Sequence, residues 1–456
     1  MKHQNHNENT LTEGTIWKQV LVYLIPIIIG SFFQQLYNMA DTIIVGHYVG
    51  TDALAAVGST GPVTMLLIGF FVGVASGATV VISQYYGARL TNRVADAVHT
   101  AVAMALISGV LVTVIGIAIT GPILSVMNLP DNILPDASLY MIVYFAGCTG
   151  NLLYNIGTAI LRSVGDSQRP LYILIACCVL NVVLDLAFVL LFHWGVFGVA
   201  FATILSQLIS SLLVLYVLMK AKDCYRVTIR KIRLDFSILK EILRIGIPTG
   251  FESVLYNVSN IIIQAYINGF GTAQIAAWST TGKLDAIIWM VMQAFGIACG
   301  TFVGQNFGAG KYDRMSKCIR TILLMDFGSV ATLSVLVYGF CPTLMRIFTN
   351  DAEVIADAAY IMRFFAPFYV VFVLINIFAS SIRACGESLP PMLITTIGIC
   401  GLRFLWVFLV LPLHHTIGML SLSYGVSWSV TAIVFTIYYL KKGWLRRCMG
   451  RADYAA

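Results

Sequence analysis

The sequence predicts an all-α polytopic membrane protein: twelve transmembrane helices in two parallel six-helix repeats, forming N- and C-lobes around a central cavity. Three observations predict it. Of 456 residues, 59% are apolar and only 11% are charged, against roughly 25% charged in a soluble protein. Apolar stretches of membrane-spanning length recur twelve times, and lysine and arginine are nearly confined to alternate loops between them. So little charge could not cover the surface of a soluble protein of this size. The composition also excludes disorder, a secreted disulfide scaffold and a basic nucleic-acid module.

The spans fall at about 16–45, 53–83, 94–120, 134–161, 170–192 and 194–219, then at about 238–267, 273–304, 319–341, 355–382, 389–412 and 416–440. A helix crosses the hydrocarbon in ~20 residues, so the longer ones are expected to tilt, kink or protrude. The first fifteen residues, MKHQNHNENTLTEGT, are polar, carry His3 and His6, and lack the apolar core of a signal peptide. The first span is therefore expected to direct insertion.

With that tail in the cytosol, 24 of the 28 lysines and arginines fall on the cytosolic side. Three, Lys283, Arg363 and Arg403, lie within spans, and only Arg346 lies in an outer loop. Orientation follows this bias. The expectation is a multi-pass plasma-membrane protein with both termini cytosolic, working as a monomer. The net charge of +7 then reflects topology and not a nucleic-acid partner. The expected division is a cytosolic tail (1–15), an N-lobe (16–219), a basic linker (220–237), a C-lobe (238–440) and a basic tail (441–456).

The ten cysteines fall mostly inside apolar runs and form no C-x-x-C pair. They read as buried thiols acting as small hydrophobes, with no metal site and no cofactor beyond a coupling ion.

The linker KAKDCYRVTIRKIRLDFS divides two similar halves. Trp17–Leu21 and Pro26 match Leu239–Leu243 and Pro248. Gln84-Tyr85-Tyr86-Gly87-Ala88 matches Gln305-Asn306-Phe307-Gly308-Ala309, and Arg162–Pro170 matches Arg383–Pro391. The offset is 221 or 222 residues throughout. Six spans separate the copies, an even number, so the halves run parallel. Parallel repeats are a transporter architecture, with substrate handled between them. Glycine permits the sharp turns in these motifs, and proline stops helix continuation.

A carboxylate at a helix centre costs about 2.5–3.5 kcal/mol on insertion scales, so such residues usually face a cavity and mark a pathway. The candidates are Asp41, Asp185, Glu252, Asp285 and Asp326, of which Asp326 reads as interfacial, near its span's start. Asp41 has Tyr37 one turn before it, and Asp185 has Asn181 one turn before it. Thr203 on the sixth span adds an oxygen. Such a group suits a proton shared between acids or a sodium ion held by several oxygens, and the residues do not choose. The offset carries Asp41 to Ile262 or Ile263, and Asp185 to Trp406 or Val407; Asn181 maps to Leu402 or Arg403. Neither acid recurs, so the fold alone does not demand them.

Taken together, L-Y-N-M-A-D-T at 36–42, G-T-D-A-L-A-A at 50–56, N-V-V-L-D at 181–185, and the paired Q-x-x-G-A and R-x-x-G-[DE]-S motifs are specific. The chain resembles the MATE (multidrug and toxic compound extrusion) family over roughly 15–440, nearest its DinF-like and MepA-like members. The resemblance implies a coupling-ion site at Tyr37, Asp41, Asn181, Asp185 and Thr203, and a first span that bends at Pro26. Glu252, one turn past Pro248, is a further candidate for ion or substrate; its spacing from the proline differs from that in NorM-like relatives. Asp285 is a cavity candidate two residues from Lys283. Arg363 and Arg403 read as structural partners of carboxylates. Trp278, Trp289, Met290, Met292 and Phe295 suit an adaptable aromatic and methionine wall for cationic substrates.

The function expected is secondary antiport: export of lipophilic, mostly cationic drugs or metabolites, with antibiotic resistance as its outcome, against inward H+ or Na+. Gly282-Lys283 and Gly310-Lys311 lack the rest of a Walker A motif. The alternative is a flippase for lipid-linked precursors, which would need basic residues deep in the cavity. The N-terminal half has none and holds two acids instead. A membrane enzyme is not expected, because neither H-x-x-x-D nor D-x-D occurs.

Overall fold

The computed structural model describes residues 11–127, 129–414 and 416–452. His3, His6 and the rest of 1–10, with 453–456 of the expected C-terminal tail, lie outside the described residues. All regular structure described is helical, because lipid offers backbone N–H and C=O groups no partner outside the helix itself.

The first half contains α1 (Ile16–Ile44), α2 (Thr51–Gly87), α3 (Thr91–Val126), α4 (Leu134–Ala146), α5 (Cys148–Ser163), α6 (Gln168–Leu186) and α7 (Gly195–Lys220). The second contains α8 (Phe236–Ile267), α9 (Thr272–Gly308), α10 (Tyr312–Met345), α11 (Ala352–Ala384), α12 (Leu389–Thr395), α13 (Leu402–Leu405), α14 (Ile417–Leu440) and α15 (Gly443–Ala452). Wider π-helical turns extend α1 at Val45–Val49 and α6 at Ala187–Leu191. In the second half such turns flank α13, at Thr396–Gly401 and Trp406–Val410.

Ten of these rods are long and apolar enough to cross a membrane. The other two predicted spans differ for identifiable reasons. The fourth is broken at Gly147 into α4 and α5, and a Cβ there would strike Ile204. The seventh, α8, carries Glu252, Asn257 and Asn260 among its apolar residues.

Three polar segments are more ordered than the sequence suggested. The linker folds back on the core: Val227 is buried, the Thr228 amide donates to His99 Nε2 at 3.0 Å, and the Asp235 amide donates to Thr100 Oγ1 at 3.2 Å. The C-terminal tail holds a helix, α15, fixed where Arg447 Nε donates to Glu387 Oε1 at 3.0 Å. The N-terminal approach is also fastened, with Arg314 donating to the Gly14 and Glu13 carbonyls at 2.8 and 2.7 Å.

By packing, the described chain forms two units, 25–250 and 11–24 with 251–452. The boundaries therefore depart from 16–219 and 238–440, because α1 and α8 each divide close to their prolines, Pro26 and Pro248. α1 runs through Pro26 as one continuous helix, with the i−4 hydrogen bond absent there.

In the first unit, Gly73 and Gly77 of α2 meet Gly246 and Gly250 of α8 with backbone against backbone. Small residues four apart on both helices allow that approach. The repeat is visible in the backbone as well. Positive φ angles recur at matching turns: Gly50 (127°) with Gly271 (107°), Arg89 (59°) with Gly310 (67°), and Gly165 (95°) with Gly386 (92°). All of the ten cysteines but Cys224 are buried.

Candidate functional site

In the first unit, α1, α6 and α7 gather the predicted polar residues. Asn181, Asp185 and Thr203 are almost wholly buried, and Tyr37 and Asp41 are partly so. Tyr37 lies beside both Asp41 and Thr203, and Asp41 is near enough to Asp185 for the two charges to interact. Both Asp185 oxygens, Asp41 Oδ1 and Asn181 Oδ1 are buried without a hydrogen-bond partner among the described residues. Buried polar atoms are normally paired. Four acceptors left open in one neighbourhood, two carboxylates among their sources, match what a proton or a hard cation requires.

Local structure explains the convergence. Asn181 and Asp185 are one turn apart on α6, which widens into its π turn two residues after Asp185. α1 widens four residues after Asp41. Such bulges rotate the following residues relative to the helix face and often sit at functional sites.

Three neighbours were missed by sequence reasoning. Ser206 accepts from Asn181 Nδ2 at 3.3 Å and itself donates to the Thr203 carbonyl at 3.0 Å. Its place three residues after Thr203, on the same helix face, was the available signal. Tyr140 lies within electrostatic range of Asp41, Tyr37 and Asp185, and stacks on Tyr144 at 5.9 Å. Nothing in the α4 sequence marks these tyrosines apart from their i, i+4 spacing.

The second-half candidates each find neighbours of their own. Glu252 lies 3.3 Å from the Arg383 guanidinium, without the alignment of a hydrogen bond. Asp285 Oδ1 accepts from Tyr369 on α11, and Lys283 lies over Phe348 at 5.1 Å. Arg363 has no carboxylate partner among the described residues; its Nε donates to the Tyr338 carbonyl at 3.4 Å. Arg403 is also no simple ion-pair partner: it is fully buried with its face 3.7 Å from the Tyr424 ring. Asp326 is fully buried near Asn376, and neither of its oxygens has a hydrogen-bond partner among the described residues.

Of the proposed wall, Trp278 and Trp289 join an aromatic cluster with Phe365, Phe372, Tyr424 and Trp428. Met290 stays partly exposed. Met292 and Phe295 are core residues instead, and the Met292 carbonyl accepts from Asn376 at 2.7 Å.

Two repeated sets of membrane-length helices that keep carboxylates unpartnered inside the spans are the build of a membrane transporter. The chain belongs to the MatE family, which matches residues 26–187 and again 248–409, once in each repeat. The matches begin at Pro26 and Pro248, close to where the two packed units divide. Among relatives, it is 28% identical to the probable multidrug resistance protein YoeA of Bacillus subtilis, over 94% of each chain. It is 23% identical to the multidrug export protein MepA of Staphylococcus saprophyticus, over 77% of this chain and 78% of that one. Its fold matches an outward-facing multidrug resistance MATE family transporter with a TM-score of 0.88, at 24% identity over 96% of this chain and 98% of the other.

Proposed function

We propose that this protein exports lipophilic, mostly cationic drugs or metabolites across the plasma membrane in exchange for inward H+ or Na+, by alternating access of two lobes. One observation carries the reading: Asp41 and Asp185 share a neighbourhood in the first unit with buried oxygens that no donor among the described residues satisfies. A small cation or a proton completes that set. Its binding and release bias the lobes only through different affinity in the two arrangements, and Pro26, where α1 lacks a backbone bond, is the natural hinge. Protonation would also remove the attraction of the carboxylates for a cationic substrate. The multidrug roles for which YoeA and MepA are named support the cargo class. The lysine and arginine bias supports cytosolic termini.

The test is transport of an ethidium-like dye into inverted vesicles, the direction that corresponds to export from the cell, with proton and sodium gradients imposed separately. Alkalinisation of the lumen on drug addition without sodium assigns the proton; a strict sodium requirement assigns sodium. Asp41→Asn at normal membrane abundance is expected to abolish ion-driven efflux. Wild-type efflux in that variant would remove Asp41 from coupling.

A further inference from the structure

The two repeats carry one polar motif with opposite charge. An offset of 221 or 222 relates Asn181 to Arg403, Thr203 to Tyr424 and Ser206 to Ser427. The contacts correspond: Asn181 Nδ2 donates to Ser206 Oγ at 3.3 Å, and Arg403 Nε donates to Ser427 Oγ at 3.4 Å. In the first unit this motif stands beside open acceptors. In the second it stands beside open donors.

Arg403 is fully buried, and neither Nη1 nor Nη2 has an acceptor among the described residues. Trp428 Nε1 is a third buried donor without one. Tyr424, Tyr256 and Trp428 face the guanidinium at 3.7, 5.7 and 5.9 Å. Ring faces attract the cation, but none of the three residues completes a hydrogen bond to the fork of Nη1 and Nη2. The Tyr256 hydroxyl approaches without completing a bond to that fork. Asp285 acts on Arg403 through space while its own oxygen holds Tyr369. A buried guanidinium with an empty fork is expensive, and the group that best fills a fork is a carboxylate.

We propose that Arg403, with Trp428, forms an anion-binding subsite of the second unit that takes the carboxylate of an exported aromatic molecule. The inference rests on the export reading above and adds to it the residue of the second repeat that reads an anionic end. The surrounding aromatic cluster supplies flat apolar surface for the ring system. Tyr424, partly exposed and lying on the guanidinium, is the side chain that moves aside for entry.

The test compares rhodamine 110, a free carboxylate, with rhodamine 123, its methyl ester, by fluorescence polarisation on the purified full-length protein. Wild type is expected to bind the carboxylate about tenfold tighter, as a charge-assisted bidentate contact predicts. Arg403→Gln should abolish that preference while leaving ester binding in place, and Arg403→Lys should keep part of it. Equal binding of the two dyes by wild type, or an equal loss of both in Arg403→Gln, overturns the subsite. A further arm needs no variant: benzoate should displace rhodamine 110 and not rhodamine 123, and displacement of neither means that water alone meets these donors and overturns the proposal. Wild-type vesicles that export neither dye would count against the export reading, whereas the binding comparison judges the subsite alone.

Discussion

Asn181 and Arg403 hold corresponding places in the two repeats, and each reaches a serine on the next long helix, Ser206 at 3.3 Å and Ser427 at 3.4 Å. Duplication preserved the contact and exchanged an amide for a guanidinium. The polar geometry thus belongs to the fold, and the sign of its charge belongs to each half.

Ser206 is expected to position Asn181 and not to bind the ion itself. Ser206→Ala removes the acceptor that holds the Asn181 amide group. The apparent affinity for the coupling ion should fall about tenfold, typical for losing an outer-shell partner, with the maximal efflux rate kept. The ion-concentration dependence of efflux in vesicles measures both quantities. Unchanged affinity would release Asn181 from dependence on Ser206.

Glu252 and Arg383 join α8 to α11 with side chains only 13% and 22% exposed. Removing one partner strands the other, so Glu252→Gln and Arg383→Gln should each destabilise by about 1–3 kcal/mol, below the range for a fully buried pair. The double variant should cost less than the two singles together. Thermal melts in detergent give the cycle. Efflux lost beyond the loss of folded protein would give Glu252 a transport role as well.

Gly77 and Gly58 lie on one helix and should respond oppositely to alanine. A Cβ on Gly77 would strike the Ile242 carbonyl and the Gly246 backbone, whereas Gly58 has open space. Gly77→Ala is expected to cost about 1–3 kcal/mol through overpacking. Gly58→Ala should be neutral or add up to about 1 kcal/mol through helix propensity. Melting temperatures of the two variants check the contrast.

Asp235 caps the start of α8. Its Oδ1 accepts from Ser237 Oγ at 2.6 Å and from the Ser237 and Ile238 amides at 2.9 and 3.3 Å. The Ser237 hydroxyl bond, then the backbone donors, hold this carboxyl below the ordinary aspartate value. A depressed folded value means that the contribution is present above the unfolded value of about 4 and is lost as pH falls through the lower folded value. Asp235→Ala should therefore melt lower than wild type near neutral pH, with the gap closing below about pH 4. A gap independent of pH would show that the cap does not act through the ionised form.

Composition, hydrophobic run length and the repeat were enough to fix a helical membrane protein with two parallel halves, because a bilayer permits few other solutions for such a chain. The same reasoning singled out Asp41 and Asp185, since an acid in an apolar run stands out without coordinates. It also paired each with its helical neighbour, Tyr37 and Asn181, from spacing alone. Tertiary packing decided the rest. Ser206 and Tyr140 are uncharged residues of other helices, and only the packing of α4 and α7 brings them to the acids. Packing likewise buried Met292 and Asp326, set Glu252 against Arg383, and enclosed Arg403 in aromatic rings. A sequence records which side chains are costly to place in lipid. Which of them meet, and which are left without a partner, depends on helix rotation and on the π turns that shift it.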